Sequence, residues 1–99
     1  PMVIDLSGKK AIAAIQTQQP ERLMKRLCNH WRHKLPVELG EQQSSIELPT
    51  GICRMFCTDI LRVELHSDEQ HMPTLQQVVA DHLQRMASAE ELLIDWQPA

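Results

Sequence analysis

Between Pro20 and Pro36 the apolar residues return at steps of three and four: Leu23, Met24, Leu27, Cys28, Trp31 and Leu35. A turn takes about 3.6 residues, so this spacing lays all six along one stripe of a helix. Pro20 suits the first helical position, where its missing donor costs nothing, and Glu21 meets the positive end of the helix dipole. Pro36 disfavours helical geometry in the residue before it, so the helix is expected to end before Pro36. A helix with a single apolar stripe must lay it on a second layer. The rest of the chain therefore has to supply that layer.

The flanking segments alternate as strands do. Residues 10–17, KAIAAIQT, are short, apolar and bounded by Gly8 and the Gln18-Gln19-Pro20 cluster, which predicts a first strand despite its alanines. Val37 and Leu39 alternate with Glu38, and Ile46 and Leu48 with Glu47, with Gly40 to Ser44 as the expected loop of a hairpin. In residues 52–57, Cys53, Met55 and Cys57 share one face, and Arg54 and Phe56 take the other. Gly51 before them serves either as a turn or as a bulge in one long bent strand. After a tight turn at Thr58-Asp59, Leu61, Val63 and Leu65 alternate with Arg62, Glu64 and His66. Pro73 opens a second helix whose stripe is Leu75, Val78, Val79, His82, Leu83 and Met86, which places His82 on the buried face. Leu92, Ile94 and Trp96 alternate with Leu93 and Asp95 and predict a closing strand. The order β-α-β-β-β-α-β implies an α+β two-layer sandwich, with a mostly antiparallel sheet and both helices on one face.

A chain of 99 residues has surface enough for one core, so a single domain with an ordered core over about residues 10–96 is expected. Its 42% apolar and 23% charged residues exclude a disordered chain or a disulfide scaffold. Aromatic residues are confined to Trp31, Phe56 and Trp96, too few for a single-strand stacking platform. Cys28, Cys53 and Cys57 cannot pair completely within one chain, and no signal-like segment precedes residue 20, which fits a reducing cytoplasm. No apolar run approaches the roughly 20 residues of a membrane helix, so no membrane partner is expected. Net charge is −3, yet residues 21–34 hold Arg22, Lys25, Arg26, Arg32 and Lys34 against Glu21 alone. Such a basic face attracts an anion or an acidic partner, or simply stays solvated, while the acidic remainder argues against nucleic acid.

The same segment gathers chemistry-bearing residues. At about 100° per residue, His30 and His33 lie about 60° apart on one flank, and Cys28 points roughly 140° to 160° from both. One helix cannot bring all three to one ion. Two imidazoles three residues apart can share zinc or iron if other elements complete the shell, and His82 is the natural third donor if the helices lie side by side. The bland alternative makes Cys28 a small core residue, His30 a boundary residue and His33 part of the basic face, with His82 a hydrogen-bonded core histidine. Cys53 and Cys57, four positions apart on a strand, would have α-carbons roughly 13 Å apart, too far for a disulfide or a shared ion. Catalysis by Cys28 would need an exposed thiolate, and the stripe buries it. The acids Asp68, Glu69, Asp81, Glu90, Glu91 and Asp95 form no pair that the pattern forces into a cleft, so no catalytic residue is assigned.

The stretches RLCNHWRHKLPVE, GICRM, VVADHLQRMA and LLIDW together resemble a bacterial family known as domain of unknown function 2218, over about Ala11 to Trp96. The family motif maps onto Cys28, His30, Trp31, His33, Lys34, Gly51, Cys53 and His82, and leaves Cys57 outside. The resemblance implies a small bacterial protein without an established activity. Related domains fused to siderophore-interacting flavin reductases imply a link to iron handling, an association and not a mechanism. It also marks Cys28, His30, His33, Cys53 and His82 as a set spread over both helices and one strand. Two readings follow, both of a non-catalytic accessory module. The first is a ligand- or metal-binding module linked to iron-siderophore handling, with His30, His33 and His82 as ligands of zinc or iron, Cys28 or Cys53 behind them, and an iron-siderophore reductase as partner. The second is an interaction module, a homodimer or a partner of an acidic protein, that docks through Arg22, Lys25, Arg26, Arg32 and Lys34.

Overall fold

A computed structural model describes residues 6–99. Eight elements follow one another: β1 (Lys9–Ile15), α1 (Pro20–Trp31), β2 (Val37–Leu39), β3 (Gln43–Leu48), β4 (Gly51–Cys57), β5 (Leu61–Ser67), α2 (Met72–Ala87) and β6 (Gln97–Pro98). The strands form one sheet in the order β2-β3-β4-β5-β1-β6, with every neighbouring pair antiparallel. Both helices lie on one face of it, so the α+β two-layer architecture stands.

Strand alternation decides which side chains meet the helices. Ala11, Ala13 and Ile15 of β1, Ile46 and Leu48 of β3, Cys53, Met55 and Cys57 of β4, and Leu61, Val63 and Leu65 of β5 join one buried cluster. From above, α1 contributes Leu23, Met24, Leu27, Cys28 and Trp31, and α2 contributes Met72, Leu75, Val79 and Leu83. β5 pairs along its whole length on both sides, with β1 from Lys9↔Ser67 to Ile15↔Leu61 and with β4 from Ile52↔His66 to Cys57↔Leu61. It is the central strand.

Beyond a shift of β1 to Lys9–Ile15, three boundaries differ from the sequence reading, each for a physical reason. Helix α1 stops at Trp31, four residues earlier than Pro36 requires. The amides of Lys34 and Leu35 both donate to the Trp31 carbonyl, closing the helix in a turn. Leu35 still packs on the core from that turn. β3 begins at Gln43, so the expected loop shrinks to residues 40–42, closed by Gly40 N–H donating to the Gln43 carbonyl at 2.8 Å. Leu92, Ile94 and Trp96 do turn toward the core while Leu93 stays 83% exposed, but this stretch is not a strand. Gln84 of α2 holds its backbone instead, donating to the Glu90 carbonyl at 2.7 Å and accepting from Leu92 N–H at 2.9 Å. Only Gln97–Pro98 reaches the sheet, at its edge beside β1.

Gly51 is the first residue of β4, directly after a two-residue turn. It pairs with Leu48 across the Pro49-Thr50 turn at a φ of +152°, which side chains rarely adopt. A β-carbon there would collide with the His66 carbonyl oxygen and sit 2.9 Å from Leu75 Cδ2. Gly51→Ala is therefore expected to cost about 2 to 3 kcal/mol. Urea denaturation followed by circular dichroism measures this through the shift in midpoint.

Candidate functional site

The apolar stripe of α1 sorts the sequence's candidate residues into an inner and an outer group. Cys28, Cys53 and Cys57 are free thiols, all buried. Burial pushes the Cys28 thiol above its ordinary pKa, although a hydrogen bond from Ser44 and the charge of Arg32 pull it down. Ser44 Oγ is itself buried without a hydrogen bond of full geometry, its polar neighbour being that thiol. Burial drives Cys53 further up, and Cys28 beside it adds to the effect. Burial likewise raises Cys57, with Glu21 adding and Lys25 opposing, and its Sγ lies 3.7 Å from Met24 Sδ. A nucleophile or a soft metal ligand must be a thiolate, and these sites hold the thiol.

Outside the core, the end of α1 meets the middle of α2. The His82 ring lies 4.7 Å from that of Trp31 and 5.6 Å from that of His30, centroid to centroid. His82 is half-buried at the flank of α2, not on its buried face as expected. Its Nδ1 donates to the Val78 carbonyl at 2.8 Å, so Nδ1 carries the hydrogen and Nε2 is left outside that bond. His30 is exposed on the last turn of α1. His33 falls beyond the helix, exposed in the following turn, so the helical spacing assumed for His30 and His33 does not apply. Among the described residues, no group of three or more His, Cys, Asp or Glu side chains could hold a metal ion together. The five-residue ligand set is thus reduced, where it does come together, to His30 and His82.

The basic residues take the outer side. Arg22, Lys25 and Arg26 are exposed on α1, and Arg32 and Lys34 are exposed in the turn beyond it, so the basic surface outruns the helix. Arg22 and Arg32 donate to neutral partners, Gln19 Oε1 at 3.4 Å and Asn29 Oδ1 at 3.1 Å. Arg22 and Arg26 also line a cavity of about 300 Å³ between the start of α1 and the end of α2. Its far wall is Glu90, which accepts from Thr17 Oγ1 at 2.7 Å and from Gln18 N–H at 3.1 Å.

The opposite sheet face carries a feature the alternation hides. Glu64 and His66 point away from the helices, yet they are 9% and 6% exposed. Lys10 Nζ, Arg62 Nε and His66 Nε2 stand 3.7, 3.5 and 3.6 Å from the Glu64 carboxylate. Arg54 sits opposite Glu64 in register and stacks 5.2 Å over Phe56. Lys10, Arg54 and Arg62 lie far apart in the sequence, and only the register of β1, β4 and β5 gathers them around Glu64.

Two comparisons place the fold. A family model described as "Uncharacterized protein conserved in bacteria (DUF2218)" matches residues 12–97. The chain belongs to the DUF2218 family. The NMR structure of PA4090 from Pseudomonas aeruginosa is similar to it, with 39% identity, a TM-score of 0.75, and coverage of 92% of this chain and 97% of that one. A search of curated proteins finds no match. In this DUF2218 chain, no helix among the described residues is long and apolar enough to cross a membrane.

The thiols give a direct check on this arrangement. An aromatic disulfide reagent at pH 8 is expected to modify the native protein slowly and all three cysteines at once in denaturant. Stability should fall as pH rises past the ordinary thiol value near ~8.5, because the unfolded chain ionises there and the native thiols, with raised values, do not. Fast native labelling would contradict the buried placement.

Proposed function

We propose that this DUF2218 protein is a non-catalytic interaction module of the bacterial cytoplasm that docks an acidic protein through the exposed cations of α1 and the turn after it. One observation carries the reading. Residues 21–34 bear five cations and one carboxylate, a net charge of +4, on a chain whose total is −3. The remaining residues therefore carry −7, so the basic surface lies on an otherwise acidic chain. The ion pairs around Glu64 draw on other cations, Lys10 and Arg62, and Asp68 pairs with the His71 ring. An acidic partner steered by this field gains association rate and orientation above all, and salt screens it. The cavity beside Arg22 and Arg26 offers an apolar foothold at Leu23 and Met86 next to the charges. Buried, unpaired thiols fit a reducing compartment. The iron-linked reductase that the family resemblance suggests is one partner to try first, whereas the grouping of the described residues gives the iron-binding reading no third ligand.

Binding of a fluorescent polyglutamate peptide tests the docking surface. Wild type is expected to bind at low salt and to weaken at least tenfold on raising salt from about 20 to about 300 mM. The triple variant Arg22→Glu, Lys25→Glu, Arg26→Glu should lose that binding and keep its fold, since all three side chains are exposed. Equal binding by both proteins would sink the reading.

A further inference from the structure

The contact between His30 and His82 joins the two helices through imidazoles alone. Two imidazoles bound to one ion at about 2.0 to 2.1 Å hold their ring centroids roughly 5 to 6 Å apart over ordinary coordination angles. The observed separation is 5.6 Å. The half-buried ring is also oriented in the manner of a ligand. His82 Nδ1 donates to the Val78 carbonyl, the kind of outer bond that fixes the tautomer of metal-binding histidines, and its ring lies tilted against Trp31 at 4.7 Å. His30 is exposed, so its ring can turn to present a nitrogen.

We propose that His30 and His82 form a two-imidazole site for a divalent transition-metal ion of the nickel, copper and zinc group, with water completing the coordination on the exposed side. The site adjoins the docking surface at the end of α1, but its metal binding does not depend on that reading. Two neutral nitrogen donors with open positions select by ligand type, and the Irving–Williams order then puts copper above nickel and zinc. The site spans the helices, so an occupied site ties the end of α1 to the middle of α2.

Trp31 supplies the readout, because it lies against His82 and paramagnetic nickel(II) quenches a nearby indole. The protein, free of any histidine tag, carries Trp96→Phe so that Trp31 alone fluoresces. Titration with nickel(II) chloride is expected to give saturable quenching at one equivalent, reversed by a chelator and displaced by zinc(II). His30→Ala, a change at the surface, should raise the midpoint at least tenfold, and His82→Gln should do the same. His33→Ala should leave it unchanged. Absence of saturable quenching up to millimolar nickel overturns the proposal, as does an unchanged midpoint in His30→Ala or a loss confined to His33→Ala. If His82→Gln fails to fold, His30→Ala decides alone.

Discussion

Burial of one helical stripe governs this molecule. Leu23, Met24, Leu27, Cys28 and Trp31 are each at most 6% exposed against the sheet, a burial that contributes at most roughly 10 kcal/mol of transfer free energy. A surface ion pair contributes less than about 1 kcal/mol. No arrangement of the cations on α1 can therefore compete for the orientation of the helix. Once the stripe faces inward, Arg22, Lys25, Arg26 and His30 have to face out, and the basic surface follows from the apolar one.

The same constraint partitions the chemistry. Cys28 lies on the stripe and enters the core beside Ser44 and Cys53, where burial keeps the thiols protonated. Two positions later His30 lies at the surface, and one further Trp31 turns back inward. Trp31 is also the last helical residue, so α1 ends where it touches His82 of α2. An α1 running to Pro36 would have kept His33 on the His30 flank. By ending at Trp31, the chain releases His33 into the turn and leaves His30 and His82 as the imidazole pair.

Residues 23–31 and 75–86 disclosed their helices in sequence because a period near 3.6, sustained over two or three turns, matches the pitch of an α-helix and not the two-residue repeat of a strand. Residues 61–67 disclosed a strand in the same way, through period two. What the sequence concealed depends on contacts between distant residues. Leu92, Ile94 and Trp96 alternate as a strand would, but the partner their backbone finds is the Gln84 side chain and not another strand. Glu64 and His66 look solvent-facing by alternation and are buried all the same; Arg62 is two residues from Glu64 on β5, but Lys10 meets its carboxylate only once β1 and β5 are in register. Of the candidate site, the meeting of His82 with His30 was legible as a condition, that the helices lie side by side. The early end of α1 was not, since Pro36 sets only the latest point at which the helix can stop.

Helix α1 lies stripe-down with its last residue against α2, and the ring contacts at that junction report on its orientation directly. Nuclear Overhauser spectroscopy of the aromatic protons should show strong cross-peaks from the His82 ring to the Trp31 indole and weaker ones to the His30 ring, in keeping with centroid separations of 4.7 and 5.6 Å. A His82 ring with no Overhauser contact to Trp31, in a protein otherwise folded, would mean that α1 ends or faces differently. The basic surface and the imidazole pair derived from that orientation would then both be contradicted.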